Sequence, residues 1–443
     1  MIVALAEAVA GTCGGKAGAL GALIRAGLPV PGGFVVPFAA YLAAVRGLDL
    51  REPSSVRQAI EARPLDAALV EALGRALDEL GEHGELGGPP VAVRSSAANE
   101  DTGLASAAGQ HESFLGVRGV GAVAEAVRGC WASLFTSRAV GYRGGPGEGE
   151  LAMAVLVQRH LDAEVSGVMF TPSRPGGPTE IEASWGLGPS VVEGRVTPDS
   201  FRVAGDGAVL RALADKRTRL DRRGGRLVVS DVPASSRRRA ALDEATVARL
   251  AGLGAEIAAL RGGPQDIEWA LADGHLWILQ SRPITAALPA PQTPPAALPG
   301  PPAPAAPSSA ALPGPPGSPL DLRAATLPPP AAAVGVLVGT GGSQGVVTGT
   351  ARIVRGPADF GRVRPGDILV CPYTDPAWTP LLRIAAGVVT ETGGLLSHAA
   401  IVAREHGIPA VLGAPEATTR LRDGSAITLD GTSGTVTYPA TAS

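Results

Sequence analysis

The stretch from Ala286 to Val334 limits what this chain can fold into more than any other feature. It reads AALPAPQTPPAALPGPPAPAAPSSAALPGPPGSPLDLRAATLPPPAAAV, almost all Ala, Pro, Gly and Ser, with hardly an aromatic or β-branched residue. Such a segment buries too little apolar surface to offset its ordering entropy. Its prolines favour polyproline II, which rises ~3.1 Å per residue, so it reads as a long semi-rigid tether. The chain is thereby split into 1–285 and 335–443. The tether is either an inert spacer or the slack that lets one part travel relative to the other. Of the chain's 40 Pro, 16 gather there, but only 3 of its 60 Gly.

The 443 residues leave room for two or three domains. Net charge is −3 and 18% of residues are charged. That balance lacks the basic excess of a nucleic-acid binder. No apolar run approaches the ~20 residues of a membrane span. Met1–Ala10 has no basic residue before its apolar stretch, and Glu7 interrupts it, so it does not read as a signal peptide. Cys13, Cys130 and Cys371 lie far apart and match no zinc or disulfide spacing. The expected location is the cytoplasm. Lys16 and Lys216 are the two lysines among 38 basic residues. A lysine kept where arginine is the default cation carries some information, because the two differ physically.

Strand-like and helix-like segments alternate before the tether. Lys16–Gly27 reads as an amphipathic helix, with Pro29 beyond it. Val91–Arg94, Ala154–Gln158 and Glu164–Phe170 read as strands. Gln265–Leu271 and Leu276–Gln280 read as a hairpin turning at Ala272-Asp273-Gly274. After the tether, short strands at Val346–Val354, Asp367–Val370, Gly387–Thr390, Ile427–Leu429 and Thr435–Tyr438 surround one helix, His398–His406, stopped by Gly407 and Pro409. No internal repeat is evident.

Four places carry chemistry. Gly14-Gly15-Lys16 precedes the first helix, where amides and dipole favour phosphate; the spacing is not that of a P-loop, and an ordinary glycine turn with a surface lysine is the other reading. Arg94-Ser95-Ser96 ends a strand, and a loop of small residues, Thr102–Gln110, follows, whose backbone can approach phosphates closely. On the hairpin, a three-residue loop ending in a left-handed Gly274 places Glu268 and Gln280 on one face, whereas a two-residue loop places them on opposite faces. A carboxylate and an amide oxygen together suit Mg²⁺, and Arg282 nearby suits charge on a transferring phosphoryl group. Finally, Thr390–Glu405 reads as a strand end, a Gly-Gly turn, Ser397 as N-cap and His398 opening the helix. A neutral imidazole there is a competent nucleophile toward phosphorus; a helix-capping histidine is the other reading.

Five segments in this order resemble the dikinase-type phosphotransferases, the family of phosphoenolpyruvate synthase, pyruvate phosphate dikinase and rifampin phosphotransferase. They are GGKAGALGALIRAGLPVPGGFVV, AVRSSAANEDTGLASAAGQHESFLGV, AEVSGVMFTPS, QDIEWAL with LWILQSRPIT, and TETGGLLSHAAIVAREHGIPAVLG. The resemblance implies a multidomain α/β and α+β chain: an N-terminal ATP-grasp domain over 1–285, the linker 286–334, and a swivelling β/β/α phosphohistidine domain over 335–443. It implies that ATP gives its β-phosphoryl group to His398, releasing AMP and phosphate. Lys16 and Arg94 then bind ATP phosphates and the loop with Ser106, Ala107, Gly109 and Gln110 covers them. Gln158 and Arg159 sit by the adenine, Glu268 and Gln280 hold Mg²⁺, and Arg282 assists transfer.

Departures qualify the likeness. The family's pyruvate-binding barrel has no counterpart in these residues, and only the tether stands where rifampin phosphotransferase carries its antibiotic-binding domain. A donor half-reaction is therefore implied, with the acceptor either a small molecule entering between the domains or a ligand of a separate subunit. A degenerate ATP-binding module, or a phosphocarrier, is the alternative. Leu396 replaces the regulatory threonine of plant-type dikinases, and Pro189 stands where the family often has an acidic residue. CPYTDPAWTPLL is most similar to the rifampin phosphotransferase branch, which implies that Asp375, Trp378 and Thr379 line the histidine's side.

Overall fold

The computed structural model describes residues 2–81, 88–98, 113–136, 139–140, 151–286, 288 and 334–439. The loop residues Ser106, Ala107, Gly109 and Gln110, and nearly all of the tether, lie outside them.

Before the tether, the chain builds two main sheets and a small hairpin. The first runs in the order Val3–Ala4, Gly33–Val36, Met153–Arg159, Val91–Ala97, Ser113–Val117, all antiparallel. Apart from Arg94, Gln158 and Arg159, the side chains of its central strands are apolar or hydroxyl-bearing. Helices cover them, including Ala67–Leu80, whose Asp66 cap accepts from the amides of Ala68 and Leu69. The second sheet runs His275–Pro283, Gln265–Ala272, Val165–Phe170, Thr179–Trp185, Asp199–Val203, Val209–Ala212, again antiparallel. Period-2 alternation divides its faces. Ile267, Trp269, Met169 and Ile181 join the main core under helix Glu244–Arg261, while Val168 and Phe170 on the other face join a smaller cluster.

After the tether, one eight-stranded sheet runs Val334–Val338, Thr435–Pro439, Ala426–Asp430, Val346–Ile353, Asp367–Cys371, Gly387–Thr390, Ala410–Leu412, Thr340–Ser343. Its four middle strands, from Val346–Ile353 to Ala410–Leu412, are parallel. Both faces are buried, as parallel strands demand: Leu369 and Cys371 face helix His398–His406, and Ile368 and Val370 face the opposite core. The expected strands are all present, longer by one to three residues at some ends and shorter by one at Glu164 and Val354, and the expected helix has the bounds read from Gly407.

The two parts touch. Val168, Phe170, Val191 and Val196 of the second sheet and its following turn pack against Leu396 and Ile401. That contact brings the histidine helix against the second sheet.

Candidate active site

Ala10–Arg25 is two helical runs separated by a kink at Gly14, whose φ of +80° is non-helical. A helix therefore starts after Gly14 with Lys16 in its first turn, as the sequence suggested, and a further short run that the sequence did not suggest precedes it. A Cβ on Gly14 would fall 2.2 Å from the Ser96 carbonyl oxygen, so only glycine lets the chain cross the strand that carries Arg94. Beyond the break, the Ala17 amide donates to Ser96 Oγ at 3.2 Å. The effect is to fix Lys16 beside Arg94 at the wall of one cavity.

The hairpin differs from expectation in a way that preserves the chemistry. Ala272 pairs with His275, so the loop has two residues, Asp273 and Gly274, both with positive φ, as a type I′ turn requires. An uninterrupted register would then put Gln280 on the face away from Glu268. A bulge intervenes: Trp269 pairs with Ile278 but Glu268 pairs with Gln280, leaving Leu279 extra. Arg94 stabilises this irregularity. Its guanidinium donates to the Leu279 carbonyl and to Glu268 Oε2, each at 3.0 Å. Two residues further along the same face, Arg282 donates through Nε (2.8 Å) and Nη2 (2.7 Å) to Asp266 Oδ2, with both side chains buried. The ladder therefore presents Asp266, Glu268, Gln280 and Arg282 together.

His398 opens its helix as expected, and it is 3% exposed. Ser397 occupies the N-cap position, but its hydroxyl turns back to donate to the Gly394 carbonyl at 2.8 Å and makes no cap bond. Two threonines hold the ring: Thr374 Oγ1 is 3.1 Å from Nδ1 and Thr379 Oγ1 is 3.4 Å from Nε2. Of the side chains expected at the histidine, Thr379 arrives. Asp375 instead caps Ala377 N, and Trp378 is buried edge-on against Phe360. Thr374 had no signal beyond its place in the loop after a strand.

A single cavity of about 630 Å³ is lined by Lys16, Arg94, Glu268, Gln280 and Arg282 on one side and by His398 on the other. Gln158 and Arg159 also line it, although the Gln158 amide is committed to the Pro31 carbonyl at 3.0 Å. Arg195 and Arg219 add positive charge to the wall, and Arg195 lies 4.9 Å over the Tyr373 ring. This excess of guanidinium suits a polyphosphate. His160, also on the wall, is held well below the ordinary imidazole range, at about 4, chiefly by burial. Glu268 and Gln280 fit a hard cation with few protein ligands: one carboxylate oxygen faces Arg94, and the amide stands directly across the strand pair. Among the described residues no cluster of three or more His, Cys, Asp or Glu side chains exists, so such a cation would draw its other ligands from phosphates and water.

Residues 10–296 match the family model described as pyruvate phosphate dikinase, AMP/ATP-binding domain, and residues 363–434 match PEP-utilising enzyme, mobile domain. The chain belongs to the phosphoenolpyruvate synthase and pyruvate phosphate dikinase family. A relative in Methanothermobacter thermautotrophicus, described as "Probable phosphoenolpyruvate synthase", is 35% identical over 458 residues, covering 96% of this chain and 61% of that protein. The phosphoenolpyruvate synthase of Pyrococcus furiosus is 35% identical, covering 86% and 45%. That of Pseudomonas aeruginosa is 34% identical, covering 94% and 54%. The chain thus spans roughly half the length of the curated relatives it matches. No described helix is long and apolar enough to cross a membrane.

Proposed function

We propose that this chain is an ATP- and Mg²⁺-dependent dikinase-type phosphotransferase in which His398 accepts the β-phosphoryl group of ATP and water takes the γ-phosphoryl group, AMP and phosphate being released. The observation that carries the reading is the shared cavity: His398, which among the described residues is the one histidine that opens a helix, faces the same space as Lys16, Arg94, Glu268, Gln280 and Arg282. Phosphoryl transfer asks little covalent work of a protein and much positioning and charge stabilisation. Arg94 and Lys16 bind phosphate oxygens. Arg282, oriented by Asp266, meets the charge that develops on the transferring group. Mg²⁺ held by Glu268 and Gln280 would neutralise phosphate charge. The reading uses the tautomer in which Nδ1–H donates to Thr374 Oγ1 and Nε2, beside the Thr379 hydroxyl, carries the lone pair that attacks phosphorus. In this reading 1–285 is an ATP-grasp domain with the adenine beside Gln158 and Arg159, and 335–443 is a mobile phosphohistidine domain on the Pro-rich tether. The phosphohistidine then serves an acceptor, a small molecule or the ligand of a separate subunit. The test is incubation with ATP and Mg²⁺ alone: AMP and a His398-dependent, acid-labile phosphoprotein support the reading, and hydrolysis to ADP only would exclude it.

A further inference from the structure

The proposed reaction leaves unused a carboxylate buried where the two parts of the chain meet. Glu182 lies on strand Thr179–Trp185, opposite Val168, on the sheet face that meets the histidine helix. It is 4% exposed. A lone carboxylate at such a place is costly unless its oxygens are satisfied. They are satisfied by the other part of the chain: Oε1 accepts from the Leu395 amide at 2.6 Å and Oε2 from the Leu396 amide at 3.2 Å. These amides end two residues before His398.

The loop's own part supplies the complement. Arg404, on the histidine helix, donates to the Leu395 and Gly342 carbonyls, each at 2.9 Å. The Leu395 peptide is therefore gripped at both ends, its carbonyl from within and its amide from across the interface. Gly394 shows how closely the carboxylate approaches, since a Cβ there would lie 2.2 Å from Glu182 Oε1. Burial pushes the Glu182 carboxyl up to about 7, against the lowering effect of the two amides. The other contacts across this boundary are less exacting. Among the described residues they include apolar packing of Leu396 and Ile401, the Arg195 guanidinium over the Tyr373 ring, and single hydroxyl bonds from Thr392 to the Gly194 carbonyl and from Thr285 to Glu405. Apolar surfaces tolerate sliding, whereas a carboxylate receiving two defined amides fixes one register.

We propose that Glu182 is a positioning residue that seats the His398 loop over the nucleotide cavity, through a contact made when the histidine part docks and surrendered when it leaves. The proposal rests on the functional reading above for the transfer it serves. Arg404 keeps the loop's shape in either state, because both its acceptors lie on its own part; Glu182 adds the docked alignment.

The full-length chain, Glu182→Gln, Glu182→Ala and Gly394→Ala test this, with thermal melts to confirm folding. Amide hydrogen exchange is read on the peptide containing Leu395 and Leu396, and single-turnover AMP formation is read beside ATP affinity. Two lost charge-assisted hydrogen bonds predict exchange faster by at least ~10-fold and phosphohistidine formation slower by roughly 10- to 100-fold, with ATP affinity changed less than about 2-fold. Gly394→Ala should slow transfer in the presence of Glu182 and add little in the Glu182→Ala background. Unchanged exchange protection would overturn the contact. Lost protection with an unchanged transfer rate would overturn the positioning role. If the wild-type chain forms no phosphohistidine, the functional reading fails, and exchange alone decides whether Glu182 seats the loop.

Discussion

Lys216→Met should cost folding stability and leave nucleotide binding untouched. Lys216 and its partner Asp199 are both 0% exposed, with Nζ 2.6 Å from Oδ1. Asp199 also accepts the Ala214 amide at 2.8 Å and the Ala241 amide at 2.9 Å, so it ties two segments, 214–216 and the one at Ala241, to the second sheet. Removing one member of a buried ion pair costs about 3–5 kcal/mol, because the other charge stays buried. The two remaining amides on Asp199 place this case near the lower end, about 3 kcal/mol. For a domain of this size that corresponds to a melting shift on the order of 10 °C. Scanning calorimetry of Lys216→Met, Asp199→Asn and the double variant reads it. The double variant should recover part of the loss, since no uncompensated charge remains. A shift under about 2 °C in the single variant, or a weakened ATP affinity at normal stability, would refute the argument and make Lys216 a binding residue.

Arg282→Ala should lower the rate of phosphohistidine formation by on the order of 10³-fold with a smaller effect on ATP affinity; rapid-quench kinetics with a parallel melt separate this from the destabilisation of a stranded Asp266. The second expectation concerns acid. The folded imidazole of His160 is depressed to about 4 by burial, so the unfolded chain takes up the proton first as pH falls. Its stabilising effect is present above about pH 6.5 and is lost between there and about 4, on the order of 3 kcal/mol. Denaturation of wild type and His160→Gln at pH 7.5 and pH 5 should show the difference between the two proteins shrinking at the lower pH, and a constant difference would count against it.

The parts of this site that lie in one stretch of chain were legible in the sequence. The helix His398–His406 is bounded by Gly407, whose φ of +64° closes it, and the strands alternate or run apolar as their burial demands. The hairpin was legible in type but not in register. Nothing in residues 265–283 announces that Leu279 bulges, because the group that stabilises the bulge is Arg94, 185 residues away. Thr374 and Glu182 escaped for the same reason. Each acquires its role only when a distant segment arrives, Thr374 from the loop beside His398 and Glu182 from the opposite side of the Pro-rich tether. Ser397 shows the converse. Its residue type fitted an N-cap, but the Gly394 carbonyl was the nearer partner.

The central claim is that His398 takes phosphate from ATP bound in the shared cavity. The most direct measurement is the intact mass of the purified chain after incubation with ATP and Mg²⁺, beside His398→Ala, with AMP followed by chromatography. The account predicts one acid-labile phosphate on the wild type, none on the variant, and AMP formed in step with the modified protein. ATP bound but never cleaved, or AMP formed equally by the variant, would contradict it.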